Sequence, residues 1–200
     1  MKDRLYTYIY MIYRKISFFI NKPKVFKIEK NGQVYYISNT VDITHINSVE
    51  FGNNVFIWHN TIIDSFHGVK IGKGSQIGTK VGIFTHSSHN SIRYYNKSYQ
   101  DIYFNDHFGR IKGSVEIGEY TFVGANSIIM PKTKIGNGCI ISGFSYVQGN
   151  FPDYSIISGN PAKVIGSVKK IDYKFLKKNP DLINNYLSEM NISSIDELLK

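Results

Sequence analysis

Imidazole is the side chain that most readily exchanges a proton near neutral pH. Two of the six histidines, His86 and His89, lie three residues apart in the stretch FTHSSHNSIRYYNKSYQDIYFNDHFGRIKGS, which runs from Phe84 to Ser114. This stretch is polar and aromatic, and it also carries His107, Arg93, Lys97 and Arg110 among Tyr94, Tyr95 and Tyr99. Such cations and rings can hold an acidic sugar by charge and stacking, and they are equally ordinary in an exposed loop. His45, His59 and His67 fall in more regular sequence and are expected to be structural or exposed.

What positions the stretch is a repeat of period six. Phe51, Ile57, Ile63 and Val69 share one phase, Ile71, Ile77 and Ile83 follow after a two-residue slip, and Ile117, Val123, Ile129, Ile135, Ile141 and Val147 resume it downstream. Glycine often comes next, as at Gly52, Gly72, Gly78, Gly118, Gly124 and Gly136. A small or compact residue sits four after the aliphatic one, as at Val55, Ser75, Val81, Thr121, Ser127, Cys139 and Ser145. Helical stripes repeat at three and four, so a strict six excludes a helix. Short strands that each give one large and one small side chain to a narrow interior, then turn at glycine, can stack on copies of themselves. Three per turn would enclose a triangular prism, an all-β parallel β-helix of about five or six turns.

The repeat spans residues 41–166 and disappears between 84 and 114, so that segment is read as a loop extruded from a rigid scaffold, where functional residues tend to be placed. Residues 1–40 form an N-terminal extension. Residues 167–200 read as a C-terminal helical cap, with helices over 172–178 and 181–190 and a capping-box signal at Ser194 and Glu197, and they are expected to cover the open end of the prism.

Two hundred residues suit one main domain, and 42% hydrophobic with 20% charged residues excludes both disorder and a membrane bundle. One cysteine, Cys139, rules out an internal disulfide framework and fits a reducing, cytoplasmic setting. No secretory signal is expected, because Arg14 and Lys15 interrupt the N-terminal apolar run. A net charge of +9 favours anionic partners, and with no recognised module in the sequence nucleic acid is not expected among them. Residues 5–20, LYTYIYMIYRKISFFI, have basic residues around them. The segment 1–24 is therefore expected either to lie in a membrane interface, peripheral at the inner membrane face, or to pack on the first coil and hide its exposed edge.

With these residues in view, the sequence resembles the hexapeptide-repeat O-acetyltransferases of the galactoside, maltose and bacterial capsule or lipopolysaccharide group. The likeness covers roughly residues 41–166 and is most specific at Ser88-His89-Asn90, at IGEYTFVGANSIIMPKTKIGNGCIISGFSYV and at ISGNPAKVIG. It implies a left-handed β-helix, a homotrimer, acetyl-CoA as co-substrate in the groove between neighbouring prisms, no metal, and a carbohydrate acceptor from a surface glycan or its precursor. It also implies a histidine general base, for which His89 is the best match and His86 the nearby alternative. An imidazole there would accept the proton of a sugar hydroxyl attacking the thioester. Positions matching the family's cofactor segments are Ala125, Gly143, Gln148, Gly149 and Lys163. The chain departs from the pattern at Phe122, where the family often has tryptophan, and at Phe144, which puts an aromatic near the cofactor groove.

Three other uses of the scaffold remain at this point. One is amino-sugar N-acetylation, which needs the same base and co-substrate. Another is zinc-dependent hydration, which the three-residue spacing of His86 and His89 fits poorly because the β-helical carbonic anhydrases space their paired histidines five apart. The third is a non-catalytic assembly or binding role.

Overall fold

The computed structural model describes residues 2–20, 22–101 and 108–199, with the backbone alone for residues 2–5, 17–20 and 97. The six-residue rungs are short strands that stack into three parallel sheets, the faces of a prism. The first face holds Val55–Ile57, Gln76–Ile77, Phe122–Val123, Ile140–Ile141 and Ser155–Gly159. The second holds Asp42–Thr44, Ile62–Asp64, Gly82–Phe84, Ile128–Ile129 and Tyr146–Val147. Val49–Phe51, Val69–Ile71, Val115–Ile117, Lys134–Ile135 and Asn150–Phe151 make the third.

The repeat is legible because each rung sends one large aliphatic side chain inward. Ile57, Ile63, Ile71, Ile77, Ile83, Ile129 and Ile141 are all fully buried, each worth about 1.5–3 kcal/mol of transfer free energy. The compact partners Ser75, Thr121, Ser127 and Cys139 are buried beside them, and their hydroxyls and thiol close on backbone oxygens, as Thr121 Oγ1 does on Gly136 O at 2.9 Å. A buried hydroxyl without such an acceptor would cost about 1–3 kcal/mol.

Glycine works differently from the turn relief that the sequence suggests. Gly52, Gly72, Gly118 and Gly136 are not in the left-handed region. A Cβ on Gly52 would lie 2.4 Å from Lys73 N, and one on Gly118 would lie 2.5 Å from the Gly136 carbonyl, so these glycines let successive coils stack in contact. The left-handed turn positions are taken by other residues, Asn54, Gly74, Tyr120, Gly138 and Tyr154 along one corner and Asn60, Lys80, Asn126 and Phe144 along the next. Asparagine accepts this conformation most readily among non-glycine residues.

Antiparallel strands finish the first face at both edges. The hairpin Val25–Lys30 with Gln33–Ser38 joins it through Gln33–Ser38, and Ala162–Ser167 pairs back on Ser155–Gly159. Beyond it come α3 (Lys169–Lys178) and α4 (Ile183–Met190), with α1 (Lys2–Ile20) at the other terminus and α2 (His89–Tyr95) in the loop. The C-terminal helices run along the corner between the third and first faces, where the sequence alone suggested a lid on the open end. Glu189 of α4 meets Lys73 at 2.5 Å and the Tyr120 hydroxyl, Met190 lies against Gly138, and Lys169 sits over the Tyr154 ring. The left-handed aromatic residues of that corner project from the prism and give these helices a surface to grip.

Candidate active site

The corner between the second and third faces absorbs every change in coil length. Between interior residues the chain takes eight positions from Ile43 to Phe51 and eight from Ile63 to Ile71. It then takes thirty-four from Ile83 to Ile117, six from Ile129 to Ile135 and four from Val147 to Phe151. The two-residue slip in the sequence is the wide turn between Asp64 and Val69, and Val69 and Ile71 both point into the core. On the next coil the loop leaves through His86–Ser87 and returns through Ile111–Lys112, which pair antiparallel with His86 opposite Lys112.

Stacking at this corner sets the wide turn against the root of the loop. His86 Nδ1 lies 2.6 Å from Asp64 Oδ2, with the two side chains 28% and 13% exposed. The carboxylate's other oxygen accepts from Thr44 Oγ1 and from the Phe66 amide, both at 3.4 Å. Asp64 is therefore held through Oδ1 by two donors, and its Oδ2 makes a close ion-pair approach to one ring nitrogen of His86 that falls outside hydrogen-bond geometry. The His86 ring is 6.2 Å from Phe66 and 6.3 Å from His67, centroid to centroid, and His45 stands edge-on to Phe66 at 4.9 Å.

His67 titrates below the ordinary histidine range. Burial is the main cause, followed by the positive charges of Lys112, His86 and Arg110, against a smaller opposing pull from Asp64. Its Nε2 is buried with no hydrogen-bond partner among the described residues, a place where an added proton would be costly.

His89 is on the exposed first turn of α2, where Ser87 Oγ lies 2.7 Å from its Nδ1 and Arg93 donates to its carbonyl at 3.2 Å. The loop closes on itself through Ser91 Oγ to Phe108 O at 2.5 Å and the Phe108 amide to Tyr95 Oη at 2.9 Å. His107 lies outside the described residues.

The matched cofactor positions divide between two corners. Ala125 and Gly143 occupy successive turns of the first–second corner, where a Cβ on Gly143 would meet only Ala125. Gln148 and Gly149 are on the same corner as His86, two coils along, and the space beside Gly149 is open. Lys163 is exposed on the terminal strand Ala162–Ser167. The second face lies between these corners and presents Ile62, Ile128 and Tyr146 outward. These backbone-lined, uncovered turns fit a long flexible ligand arm, and the exposed lysine fits a phosphate. Among the described residues, no three His, Cys, Asp or Glu side chains are grouped to hold a metal ion.

Sequence reasoning missed Asp64 and gave His67 no special place. The usable signal was the eight-residue interval from Ile63 to Ile71, which puts a wide turn directly beneath the loop and an acid at its start.

Residues 114–149 match the bacterial transferase hexapeptide family (six repeats). The chain is 28% identical over 145 residues to a putative lipopolysaccharide biosynthesis O-acetyl transferase of Escherichia coli (strain K12), covering 69% of this chain and 74% of that protein. It is also 28% identical over 145 residues to a probable acetyltransferase of Mycobacterium tuberculosis, covering 72% of this chain and 45% of that longer protein. Among solved structures, a hexapeptide-repeat acetyltransferase from Vibrio cholerae superposes with a TM-score of 0.57 at 19% identity, over 66% of this chain and 69% of that one. The same Vibrio cholerae protein complexed with acetyl coenzyme A gives 0.54, at 20% identity and 64% of each chain.

Proposed function

We propose, for a chain that belongs to the hexapeptide-repeat acetyltransferases, transfer of an acetyl group from acetyl-CoA to a hydroxyl of a surface-glycan sugar or its precursor. The contact between His86 and Asp64 carries this reading, since it supplies an oriented imidazole where the loop joins the prism. Acetyl-CoA would supply the acyl group as a thioester with a good leaving group.

In this reading His86 is the general base and Asp64 its positioning residue. With Nδ1 engaged by Asp64, Nε2 takes the proton of the sugar hydroxyl as that oxygen bonds to the acyl carbon. The same proton passes to sulfur as the carbon–sulfur bond breaks, so no acyl-enzyme is needed. Asp64 stabilises the imidazolium that exists in between. His89, whose ring meets the Ser87 hydroxyl and which has an exposed place on α2, is assigned to the acceptor side. Ala125 and Gly143 leave backbone bare for the pantetheine arm, Gln148 and Gly149 border the reacting end, and Lys163 meets a phosphate.

The reading includes a left-handed coil, a cytoplasmic setting and a homotrimer. Two of the three outer surfaces favour assembly. The first face presents Phe56, Gln76, Phe122, Ile140 and Ile156 in register, apolar but for the glutamine, and the second presents Ile62, Gly82, Ile128 and Tyr146. The third is a ladder of alternating charge, Glu50, Lys70, Glu116 and Lys134. Apolar rows prefer contact with a neighbouring prism and the charged ladder prefers water, so first face on second closes a ring of three.

The test is acetyl transfer from labelled acetyl-CoA to neutral, acidic and amino sugars, with His86→Ala and His89→Ala alongside. A loss of about 10²- to 10⁴-fold is expected in His86→Ala and a smaller one in His89→Ala. Undiminished turnover in His86→Ala would overturn the assignment of the base. Preference for the amino sugars would move the reaction to nitrogen, and failure to bind acetyl-CoA would remove the function altogether.

A further inference from the structure

Helix α1 has an unusual surface for a terminal segment of a water-exposed prism. Every described side chain on it, from Tyr6 to Lys15 and Ile16, is exposed, including Ile9 at 57%, Ile12 at 42% and Ile16 at 53%. These three stand at i, i+3 and i+7 and so form one stripe, with Tyr13 at one margin, Tyr8 and Lys15 at the other, and Arg14 turned away from it. The expectation that this segment packs on the first coil is not met by any of these side chains.

Charge is concentrated at the same end. Residues 1–30 hold eight Lys or Arg against two Asp or Glu, which is six of the nine net positive charges of the chain. Lys22, Lys24, Lys27 and Lys30 continue the basic character along the exposed linker and hairpin strand that follow α1. No helix among the described residues is long and apolar enough to cross a membrane. A nineteen-residue helix with an isoleucine stripe, marginal tyrosines and flanking cations has the chemistry of an interfacial anchor, which lies flat with its apolar side among acyl chains and its charges toward anionic headgroups.

We infer that α1 docks the protein on an anionic lipid surface, with Ile9, Ile12 and Ile16 inserted and the basic residues of segment 1–30 at the headgroups. An acidic protein surface would match the charge but gives no reason for an isoleucine stripe backed by tyrosine. The inference stands apart from the acetyl-transfer reading, because α1 contributes no group to the His86 site.

Co-sedimentation with phosphatidylcholine vesicles, and with vesicles containing about one-third phosphatidylglycerol, tests it on the full chain. Strong partitioning is expected on the anionic vesicles alone, weakening as salt rises. It should fall at least about tenfold in Ile9→Asp/Ile16→Asp and in Arg14→Ser/Lys15→Ser. Neither pair touches the prism, so acetyl transfer to a water-soluble acceptor should be unchanged, which keeps failure here distinct from failure of the proposed reaction. Absence of partitioning, equal partitioning to neutral vesicles, or full partitioning of Ile9→Asp/Ile16→Asp would overturn the inference. So would concentration-dependent self-association without vesicles that the isoleucine variant abolishes, since the stripe would then be covered by a second copy.

Discussion

Two corners of the prism keep one spacing on every coil, and the third changes its spacing along the stack. From the third face to the first and from the first to the second, interior residues are always six apart, as from Ile71 to Ile77 and Ile77 to Ile83. Contact glycines run beside both corners, Gly72 and Gly118 at the first and Gly78 and Gly124 at the second, whereas left-handed residues occur at all three corners, with His45, Gly68, Lys132 and Gly149 at the third. At the second–third corner the interval is eight, eight, thirty-four, six and four. A stacked coil therefore needs only two tight corners to keep its register, which leaves the third free to hold a wide turn, a loop and the His86–Asp64 contact.

Inserting two residues at each kind of corner should separate them most sharply. A Gly-Ser insertion after Lys132 widens a six-residue interval to the eight already present between Ile63 and Ile71. It should cost no more than about 1 kcal/mol. The same insertion after Asn126 breaks a six-residue interval that every coil keeps at that corner, and it should cost more than about 4 kcal/mol in urea unfolding. Equal costs would mean that the two corners are not different in kind.

Next in size is the expected effect of Asp64→Asn. The amide keeps the shape and loses the charge that orients His86, so kcat should fall about tenfold to a hundredfold with little change in the KM for acetyl-CoA or in thermal stability. A parallel fall in stability with kcat unchanged would make Asp64 a structural residue only.

Smaller still is Lys80→Asn, at an invariant corner. Lys80 has φ 57° in the column that Asn60 and Asn126 also occupy. Asparagine tolerates the left-handed region better than lysine, so stability should rise by about 0.5–1 kcal/mol, read from the urea midpoint. No gain would show that stacking in the column, not local backbone preference, holds the turn.

How much could be read in advance follows the same division. The invariant corners were legible because their spacing is the period itself, and every aliphatic position from Ile57 to Val147 named by the repeat is buried. Their glycines were visible and their purpose was not, since close approach between coils is a relation between residues up to 46 apart, such as Gly72 and Gly118. At the variable corner the loop announced itself as a gap, and His86 and His89 stood out within it. Asp64 did not, because nothing in a linear reading brings a residue after Ile63 under one after Ile83 until the twenty-residue coil is known.

The smallest expected effect lies in the charge balance of the variable corner. His67 is held below the usual histidine pKa by burial first, then by Lys112, His86 and Arg110, so in the native state it stays neutral where an unfolded chain would take up a proton. A depressed native pKa means the unfolded state binds more protons as pH falls, so this residue's share of stability is fully present above about pH 6.5 and is lost as the pH falls through that value toward the native pKa. In His67→Asn this dependence should vanish. Urea unfolding from about pH 8 to about pH 5 should therefore show the wild-type curve declining more steeply than the variant's on the acid side, with the two parallel above neutrality. Parallel curves throughout would mean that the native corner accepts the proton, and that the cations carried by the returning loop strand do not reach His67 as their placement beside it requires.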